Sequence, residues 1–165
     1  MSNFITVDVN DKSVNKYLFY KNLYINRKFS ASKKIIKKIN HYLWWFQKQQ
    51  LRKSFFIFKD NIPIFISTCD YASFKKYKII YSGLISCTPE TNLFDLLKSI
   101  KTQNDYLNKK KNHYCIISID KNNKVLMKHW KYFGYKPLLS SLEFFEFCKQ
   151  EFNIKLNYNL YYKKI

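Results

Sequence analysis

Hydrophobic and polar positions repeat with two periodicities along this chain, one typical of strands and one typical of helices. Phe4–Val9 alternates apolar and polar residues, as a half-buried strand does. Lys12–Arg27 and the stretch from Ser32 to Phe46 instead repeat apolar residues at helical spacing, and Ser32 is a good N-cap. The positions expected to face inward on these two helices are Val14, Tyr17, Leu18, Tyr24, Ile25, Ile35, Ile36, Ile39, Tyr42, Leu43 and Phe46.

The middle of the chain predicts a hairpin followed by a further strand. Two strand-like runs within Ser54–Ser67 flank the turn residues Lys59–Asn61, and Pro63 belongs at a strand start or a sheet edge. Lys78–Ser86 predicts another strand, in which Gly83 marks a bulge or a close approach by another backbone or a ligand.

The C-terminal half continues the alternation. Thr88–Glu90 has the composition of a helix start, with Thr as N-cap, Pro at the first position and an acid in the first turn. This helix is expected to turn Leu93, Leu96, Leu97 and Ile100 inward. The remaining predicted elements are a strand at Tyr114–Ile119, a helix at Lys124–Phe133 capped by Asn122 or Asn123 and ended by Gly134, a short strand at Tyr135, a helix from Ser140 or Ser141 through Phe147, and a strand at Ile154–Tyr162.

The composition predicts one folded domain over residues 1–165. The chain is 47% hydrophobic and 19% aromatic, which is enough apolar side chain to fill a sizeable core. Disordered and low-complexity classes are excluded, because such chains are poor in aromatic and branched apolar residues.

The charge predicts attraction to anions without selecting one. The chain has 30 Lys and Arg against 11 Asp and Glu, a formal net charge of +19. Only Arg27 and Arg52 are arginines, whereas sites that recognise phosphate or guanine usually favour the rigid, bidentate guanidinium. A lysine-dominated surface is more often a solvated surface than a nucleic-acid site, although it still concentrates anionic ligands.

The cysteines and histidines predict neither a disulfide framework nor a metal site. They lack CxxC spacing and do not pair at the spacing of zinc sites, so we predict buried, reduced thiols and no metal ion. The N-terminal residues do not read as a signal peptide, and no apolar run reaches the length of a membrane span, so we predict a cytoplasmic location. The cysteines are Cys69, Cys87, Cys115 and Cys148.

One spaced motif stands near the end of the chain: Asn123 is followed by Trp130 at seven residues and by Gly134 and Tyr135 at eleven and twelve. This motif and the order of elements resemble the GNAT superfamily of acyl-CoA-dependent N-acyltransferases. Members commonly carry, after the fifth strand, an Asn, a Tyr seven residues later, and Gly-Phe at eleven and twelve. The element order extends the resemblance over nearly the whole chain. Taken alone, the motif also describes a capped helix ended by glycine in any α/β domain.

The resemblance implies an α/β fold and an acyl-CoA co-substrate. The fold would be a splayed mixed, mostly antiparallel sheet flanked by helices, with the splay between its fourth and fifth strands. Acetyl-CoA or another acyl-CoA would pair with the fourth strand through backbone groups. The residues implied to bind it are Leu84, Ile85 and Ser86 for the pantetheine, Thr91 and Asn92 for the phosphates, and Asn123 and Trp130 on the far side.

The phosphate-binding loop departs from the superfamily pattern. Its usual form, Gln/Arg-x-x-Gly-x-Gly/Ala, bares backbone N–H groups in front of a helix N-terminus. The corresponding stretch, Ser86–Phe94, contains no glycine and no arginine. Pro89 lacks an N–H, and Glu90 places a negative charge where the pyrophosphate would lie. Thr88, Thr91 and Asn92, with nearby lysines, would have to supply the donors.

The catalytic groups depart as well. Trp130 replaces the tyrosine that protonates the leaving thiolate in many members, and an indole N–H cannot deliver that proton. Tyr132 is the nearby alternative, although it points to another side of the helix. The frequent glutamate of the fourth strand is absent, leaving Tyr81 and Ser82 there. His41, with Trp44 and Trp45, is a candidate wall of the acceptor site, and its alternative is an aromatic core with a surface histidine.

Two functions remain open at the level of sequence. The first is transfer of an acetyl or other acyl group to a primary amine of a small anionic acceptor, most plausibly a nucleotide-linked amino sugar. Alignment of an amine with a thioester supplies much of the acceleration, so loss of side-chain catalysts weakens this function without removing it. The second is a non-catalytic GNAT-like module that binds RNA or another polyanion. The oligomeric state does not follow from the sequence.

Overall fold

The computed structural model describes residues 3–28, 30, 33–90, 92–140 and 142–165, and these contain seven strands and six α-helices. The strands are β1 (Phe4–Asp8), β2 (Arg52–Lys59), β3 (Ile62–Phe74), β4 (Tyr77–Ser86), β5 (His113–Asp120), β6 (Lys136–Pro137) and β7 (Tyr158–Lys164). The helices are α1 (Val14–Lys21), α2 (Tyr24–Lys28), α3 (Lys38–Lys48), α4 (Leu93–Asn108), α5 (Lys124–His129) and α6 (Glu143–Glu151), with 3₁₀ turns at Gln49–Leu51 and Trp130–Phe133.

The strands form one mixed, mostly antiparallel sheet in the order β1-β2-β3-β4-β5-β7-β6. Strands β4 and β5 pair in parallel from Lys78 opposite His113 to Tyr81 opposite Ile116. The ladder ends there, although β4 continues to Ser86 and β5 to Asp120. The predicted α/β class with a splay between the fourth and fifth strands is confirmed.

The described residues fall into two compact units. The first comprises the described residues up to Cys69 together with Leu84–Gln103, and the second comprises Asp70–Gly83 and Asn104–Ile165. Strands β3 and β4 and helix α4 contribute to both. A single domain over residues 1–165 stays a prediction.

The core of the first unit is aromatic. Tyr17 on α1 and Trp45 on α3 pack against Phe56 on β2, with Val14, Ile66 and Cys87 completing the cluster. The predicted hairpin beneath it is confirmed, and Asp60 and Asn61 turn the chain with φ of 49° and 68°. Asn and Asp tolerate this left-handed region better than other side chains with a Cβ.

Two helix predictions in the first unit need correction. The predicted helix over Lys12–Arg27 is two helices, α1 and α2, because α1 ends at Lys21 with Asn22 as its C-cap. The Asn22 N–H still bonds the Leu18 carbonyl at 3.0 Å. The Asn22 side chain pairs with the backbone of Ile36, accepting from the N–H at 2.8 Å and donating to the carbonyl at 3.0 Å, which ties the end of α1 to the segment before α3. Tyr24, expected inward, is exposed.

Helix α3 begins later than predicted and turns its other face inward. It starts at Lys38, and the predicted N-cap Ser32 lies outside the described residues. His41 and Trp45 are buried. Both candidate faces have helical spacing, and the aromatic one packs against Tyr17. The residues predicted to face inward but found exposed on and before α3 are Ile35, Ile39, Leu43 and Phe46.

The second unit has its own core, in which α6 packs against β4, β5 and β7. Its buried members include Ile79, Ile116, Cys148 and Leu160. Gly134 adopts φ of 80° after the 3₁₀ turn, which confirms the predicted glycine end of that helix. The last strand begins at Tyr158 rather than Ile154, and α6 begins at Glu143, with Ser141 outside the described residues.

All four cysteines are buried free thiols. Burial raises the pKa of Cys87 and of Cys148 to about 12, so these two thiols stay protonated and unreactive near neutral pH. Within the described ranges, no group of three or more His, Cys, Asp or Glu side chains could hold a metal ion. Among the same residues, no helix has the length and apolar character needed to cross a bilayer.

Candidate active site

On its edge away from β3, the C-terminal end of β4 is bonded to helix α2. The Asn26 side chain accepts a hydrogen bond from the Ser86 N–H and donates one to the Ser86 carbonyl, both at 2.8 Å. The next residue, Cys87, donates from its backbone to Ile64 of β3 at 2.8 Å. Successive residues of a strand point their backbone groups to opposite edges, so Asn26 occupies the edge of Ser86 that faces away from β3.

This contact constrains the predicted pantetheine site. Of the predicted residues, Leu84 is half-buried, and Ile85 is half-buried against the core of the first unit. The N–H and the carbonyl of Ser86, which the resemblance assigned to pantetheine, are both bonded to the Asn26 side chain. Ser86 therefore contributes to such binding only if Asn26 is displaced, whereas Leu84 presents its backbone groups to the same edge.

The start of α4 differs from the prediction. The helix begins at Leu93, five residues after Thr88, and Asn92 caps it by accepting from the Asp95 N–H at 2.8 Å. Asn92 also donates to the Asp95 carboxylate at 2.7 Å, and Lys59 bonds the same carboxylate at 2.8 Å. Both ends of the Asn92 side chain are thus engaged locally. Thr91, the other predicted phosphate contact, lies outside the described residues.

The buried side of α4 is partly polar, which corrects part of the prediction of an inward leucine stripe. Of the predicted positions, Leu93 is exposed, whereas Leu96, Leu97 and Ile100 are half-buried. Asp95, Ser99 and Gln103 are buried on the same helix. Lys59 neutralises Asp95, and the Gln103 side chain donates to the Ser67 hydroxyl at 2.8 Å. Polar residues tolerate burial when they are bonded in this way.

The predicted far-side residues Asn123 and Trp130 lie in the second unit. The Asn123 side chain accepts from the Leu126 N–H at 3.2 Å, which confirms it as the N-cap of α5. The Trp130 ring packs on Tyr161 with 4.3 Å between centroids. Tyr132, two residues on, is 74% exposed and neighbours His129.

A hydroxyl pair lies where the β4–β5 ladder ends. The Tyr81 hydroxyl and the Ser118 hydroxyl are 2.5 Å apart, and the Tyr81 ring stacks on Phe152. Ser82, the other candidate on this strand, is buried, and its hydroxyl has no hydrogen-bond partner among the residues described. Ser118 is a polar residue that the sequence analysis missed.

Asp120 extends this polar group and was also missed. It is buried, and its carboxylate accepts from the Asn122 N–H at 2.8 Å and from the Asn157 side chain at 2.9 Å. Burial first, then Asp120 and Tyr81, raise the pKa of Tyr158 to about 12. Ser118 and Asp120 interrupt an apolar strand at alternate positions, and that interruption is the signal that could have found them.

His41 is a core residue, so the alternative of a surface histidine is wrong. It is 2% exposed and packs between Tyr17 and Trp44. Burial, with Lys21 and Arg52 nearby, lowers its pKa to about 4, against an opposing hydrogen bond with the Val14 backbone. The imidazole is therefore neutral at physiological pH. Its part in an acceptor site stays a prediction.

Comparison with solved structures identifies the fold. An N-acetyltransferase from Staphylococcus aureus aligns over 99% of both chains with a TM-score of 0.69 at 15% identity. A GNAT-family acetyltransferase from Streptococcus pneumoniae aligns over 99% of this chain and 100% of its own, with a TM-score of 0.67 at 8% identity. The chain has the GNAT fold.

A third GNAT-fold neighbour was solved with a ligand. This Salmonella typhimurium protein, solved with its cofactor acetyl-CoA, aligns over 98% of the present chain and 93% of its own, with a TM-score of 0.68 at 10% identity. Identities this low establish the GNAT fold and leave the chemistry to be argued from the site. No protein-family model and no curated protein matches the sequence.

The structure sorts the predicted GNAT site residues by unit. His41, Leu84, Ile85, Ser86 and Asn92 belong to the first unit. The second unit holds Tyr81, Ser82, Asn123, Trp130 and Tyr132. Within the second unit the Tyr81 hydroxyl contacts the hydroxyl of Ser118, a residue that the sequence analysis missed. Tyr132 is exposed beside His129.

Proposed function

We propose that this protein is an N-acyltransferase that moves an acetyl or other acyl group from acyl-CoA to a primary amine. The observation that supports this most strongly is the β4–β5 ladder, which stops at Tyr81 and Ile116 while both strands continue. A strand whose pairing stops early leaves backbone groups for an extended ligand to pair with. The fold-level likeness to a protein solved with acetyl-CoA adds support.

The acyl-CoA would bind through backbone and polar groups instead of a glycine-rich loop. We assign the pantetheine to the backbone of Leu84, and to that of Ser86 once Asn26 is displaced. The Ile85 backbone faces β3, so Ile85 would line the site only with its side chain. Lys59 neutralises Asp95 at the start of α4, which reduces the repulsion that this carboxylate would exert on a phosphate. The remaining proposed contacts are Thr91 and Asn92 for the phosphates, and Asn123 and Trp130 for the far side of the carrier.

The proposed reaction is direct acyl transfer. The neutral amine nitrogen attacks the thioester carbonyl, the C–N bond forms, the C–S bond breaks, and the thiolate leaves while the amine loses a proton. We assign the proton path to a water chain ending on the Tyr81–Ser118 hydroxyl pair, with Ser82 on the same strand. His41 is a weaker base, because its pKa is about 4. Tyr132 is the proposed proton source for the thiolate.

The acceptor we propose is small and anionic, such as a nucleotide-linked amino sugar. The net charge of +19 would concentrate it. Trp44 offers an aromatic wall over which the Lys21 ammonium and the Arg52 guanidinium lie at 4.3 and 4.2 Å from the ring centroid. A cytoplasmic location completes the proposal, and the four buried cysteines, none of them in a disulfide, are consistent with it.

A transfer assay tests the function and the proton path together. Release of the CoA thiol from acetyl-CoA should depend on added amine, and nucleotide-linked amino sugars should react faster than uncharged ones. Tyr81→Phe keeps the ring stacked on Phe152 but removes the hydroxyl, so it should lower kcat about 100-fold with little change in the KM for acetyl-CoA.

Tyr24→Phe is the matched control, because it removes an exposed tyrosine hydroxyl elsewhere and should leave the rate unchanged. A Tyr81→Phe enzyme with the wild-type rate would exclude the hydroxyl pair from the proton path. Amine-independent thiol release alone would count against amine transfer.

A further inference from the structure

A small cavity in the first unit shares Trp44 and Arg52 with the proposed acceptor wall, and its described lining includes none of the residues proposed to bind acyl-CoA. Its volume is about 240 Å³. It opens beside the start of β2, under the C-terminal end of α3. Its lining includes Asp11, Trp44, Trp45, Lys48, Arg52 and Ser54.

Ser54 brings a buried donor to this cavity. The residue is 3% exposed, and its hydroxyl has no hydrogen-bond partner in the part of the chain that the structure describes. Strand alternation places Ser54 on the same face of β2 as Arg52 and Phe56, and Phe56 packs with Trp45 in the core. A buried hydroxyl without a partner is unfavourable unless a ligand or a water bonds it.

Positive charge outweighs negative charge around the cavity. Lys48, Arg52 and Lys53 line it with Asp11, and Lys53 is paired with Asp8. The Arg52 guanidinium lies over the Trp44 ring at 4.2 Å from the centroid. The ring contact and a hydrogen bond from Arg52 to the Tyr17 hydroxyl at 3.4 Å hold the guanidinium in place, and a guanidinium has several N–H donors suited to oxyanions.

Asp11 bonds two other residues that line the cavity. One oxygen of its carboxylate accepts from the Trp45 indole N–H at 2.8 Å and from the Gln49 side chain at 3.1 Å. These two bonds hold the indole and the amide in place and offset part of the negative charge of Asp11. The aromatic wall is thereby fixed before any ligand enters.

The volume selects a small ligand. At about 30 Å³ for each water-sized atom, the cavity holds about eight non-hydrogen atoms, far fewer than a CoA or a nucleotide contains. We propose that the cavity binds a small oxyanion, phosphate or a short dicarboxylate, with the Ser54 hydroxyl donating one hydrogen bond and Arg52 supplying the charge. This site goes beyond the proposed acyl transfer. It shares Trp44 and Arg52 with the proposed acceptor wall, but its test measures anion binding without acyl-CoA, so either proposal can fail without the other.

A pair of serine variants tests the site without altering the charge. Phosphate and succinate are titrated separately by calorimetry and thermal shift at constant ionic strength, with chloride as the reference anion, because lysines attract anions generally. The wild type should respond to at least one of them beyond chloride. Ser54→Ala should keep the wild-type melting temperature in chloride, or raise it, and should weaken that oxyanion about tenfold.

Ser99→Ala is the matched control. Ser99 is likewise buried, with a hydroxyl lacking a hydrogen-bond partner among the described residues, but it lies on α4. Its variant should keep the wild-type oxyanion affinity. Equal responses to phosphate, succinate and chloride in the wild type would overturn the proposal. So would a Ser54→Ala affinity equal to that of wild type, or an equal loss in both variants.

Discussion

The unfolding free energy of the wild type should fall between pH 6.5 and pH 4, and replacing His41 with phenylalanine should make that fall smaller by about 3 kcal/mol. Burial holds the folded-state pKa of His41 at about 4, against 6.5 for an ordinary histidine. Between these values the unfolded chain binds a proton that the folded chain does not. Stability from this group is therefore complete above pH 6.5 and falls as the pH drops to about 4.

Urea unfolding of wild type and His41→Phe at pH 6.5, 5.5 and 4 measures this difference. Phenylalanine keeps an aromatic ring between Tyr17 and Trp44 but cannot titrate. Parallel curves for wild type and His41→Phe would show that His41 does not titrate as described.

Asp95→Ala should cost about 3–5 kcal/mol of unfolding free energy. The Asp95 carboxylate bonds Lys59 and Asn92, and its backbone N–H is capped by Asn92. Both charged side chains are largely buried, with exposed fractions of 12% for Asp95 and 28% for Lys59. Truncation would leave the lysine buried without its counter-charge and weaken the start of α4.

A double variant separates the cost of an unpaired buried charge from the cost of lost packing. Lys59→Met with Asp95→Leu removes both charges, so it should be more stable than Asp95→Ala alone. Glu143→Ala breaks the exposed Lys75–Glu143 pair and should cost under about 1 kcal/mol. Equal losses for Asp95→Ala and Glu143→Ala in urea unfolding would contradict the buried-pair account.

Features set by local chemistry were predictable from the sequence. Asp60 and Asn61 form the hairpin turn, Asn123 caps α5, and Gly134 ends the following 3₁₀ turn, because each depends on backbone preferences of a few adjacent residues. The mixed, mostly antiparallel sheet and its splay between β4 and β5 followed from the resemblance that these elements brought into view.

Features set by distant partners were not predictable. Periodicity gave α3 two apolar faces, and only packing against Tyr17 decides that the His41–Trp45 face is buried. The start of α4 moved to Leu93 because Asn92, and not Thr88, caps it. Asn26 and Ser86 are 60 residues apart in sequence, so no local pattern reveals that Asn26 bonds the edge of β4 assigned to pantetheine.

Calorimetric titration of acetyl-CoA and longer acyl-CoAs into wild type and Trp130→Ala tests the central claim most directly. The account predicts saturable binding by the wild type that persists at physiological salt, and clearly weaker binding by a folded Trp130→Ala variant. The absence of both heat and thermal shift with every acyl-CoA would contradict it. Salt-resistant binding of single-stranded RNA in the same buffer would then favour the polyanion-binding alternative.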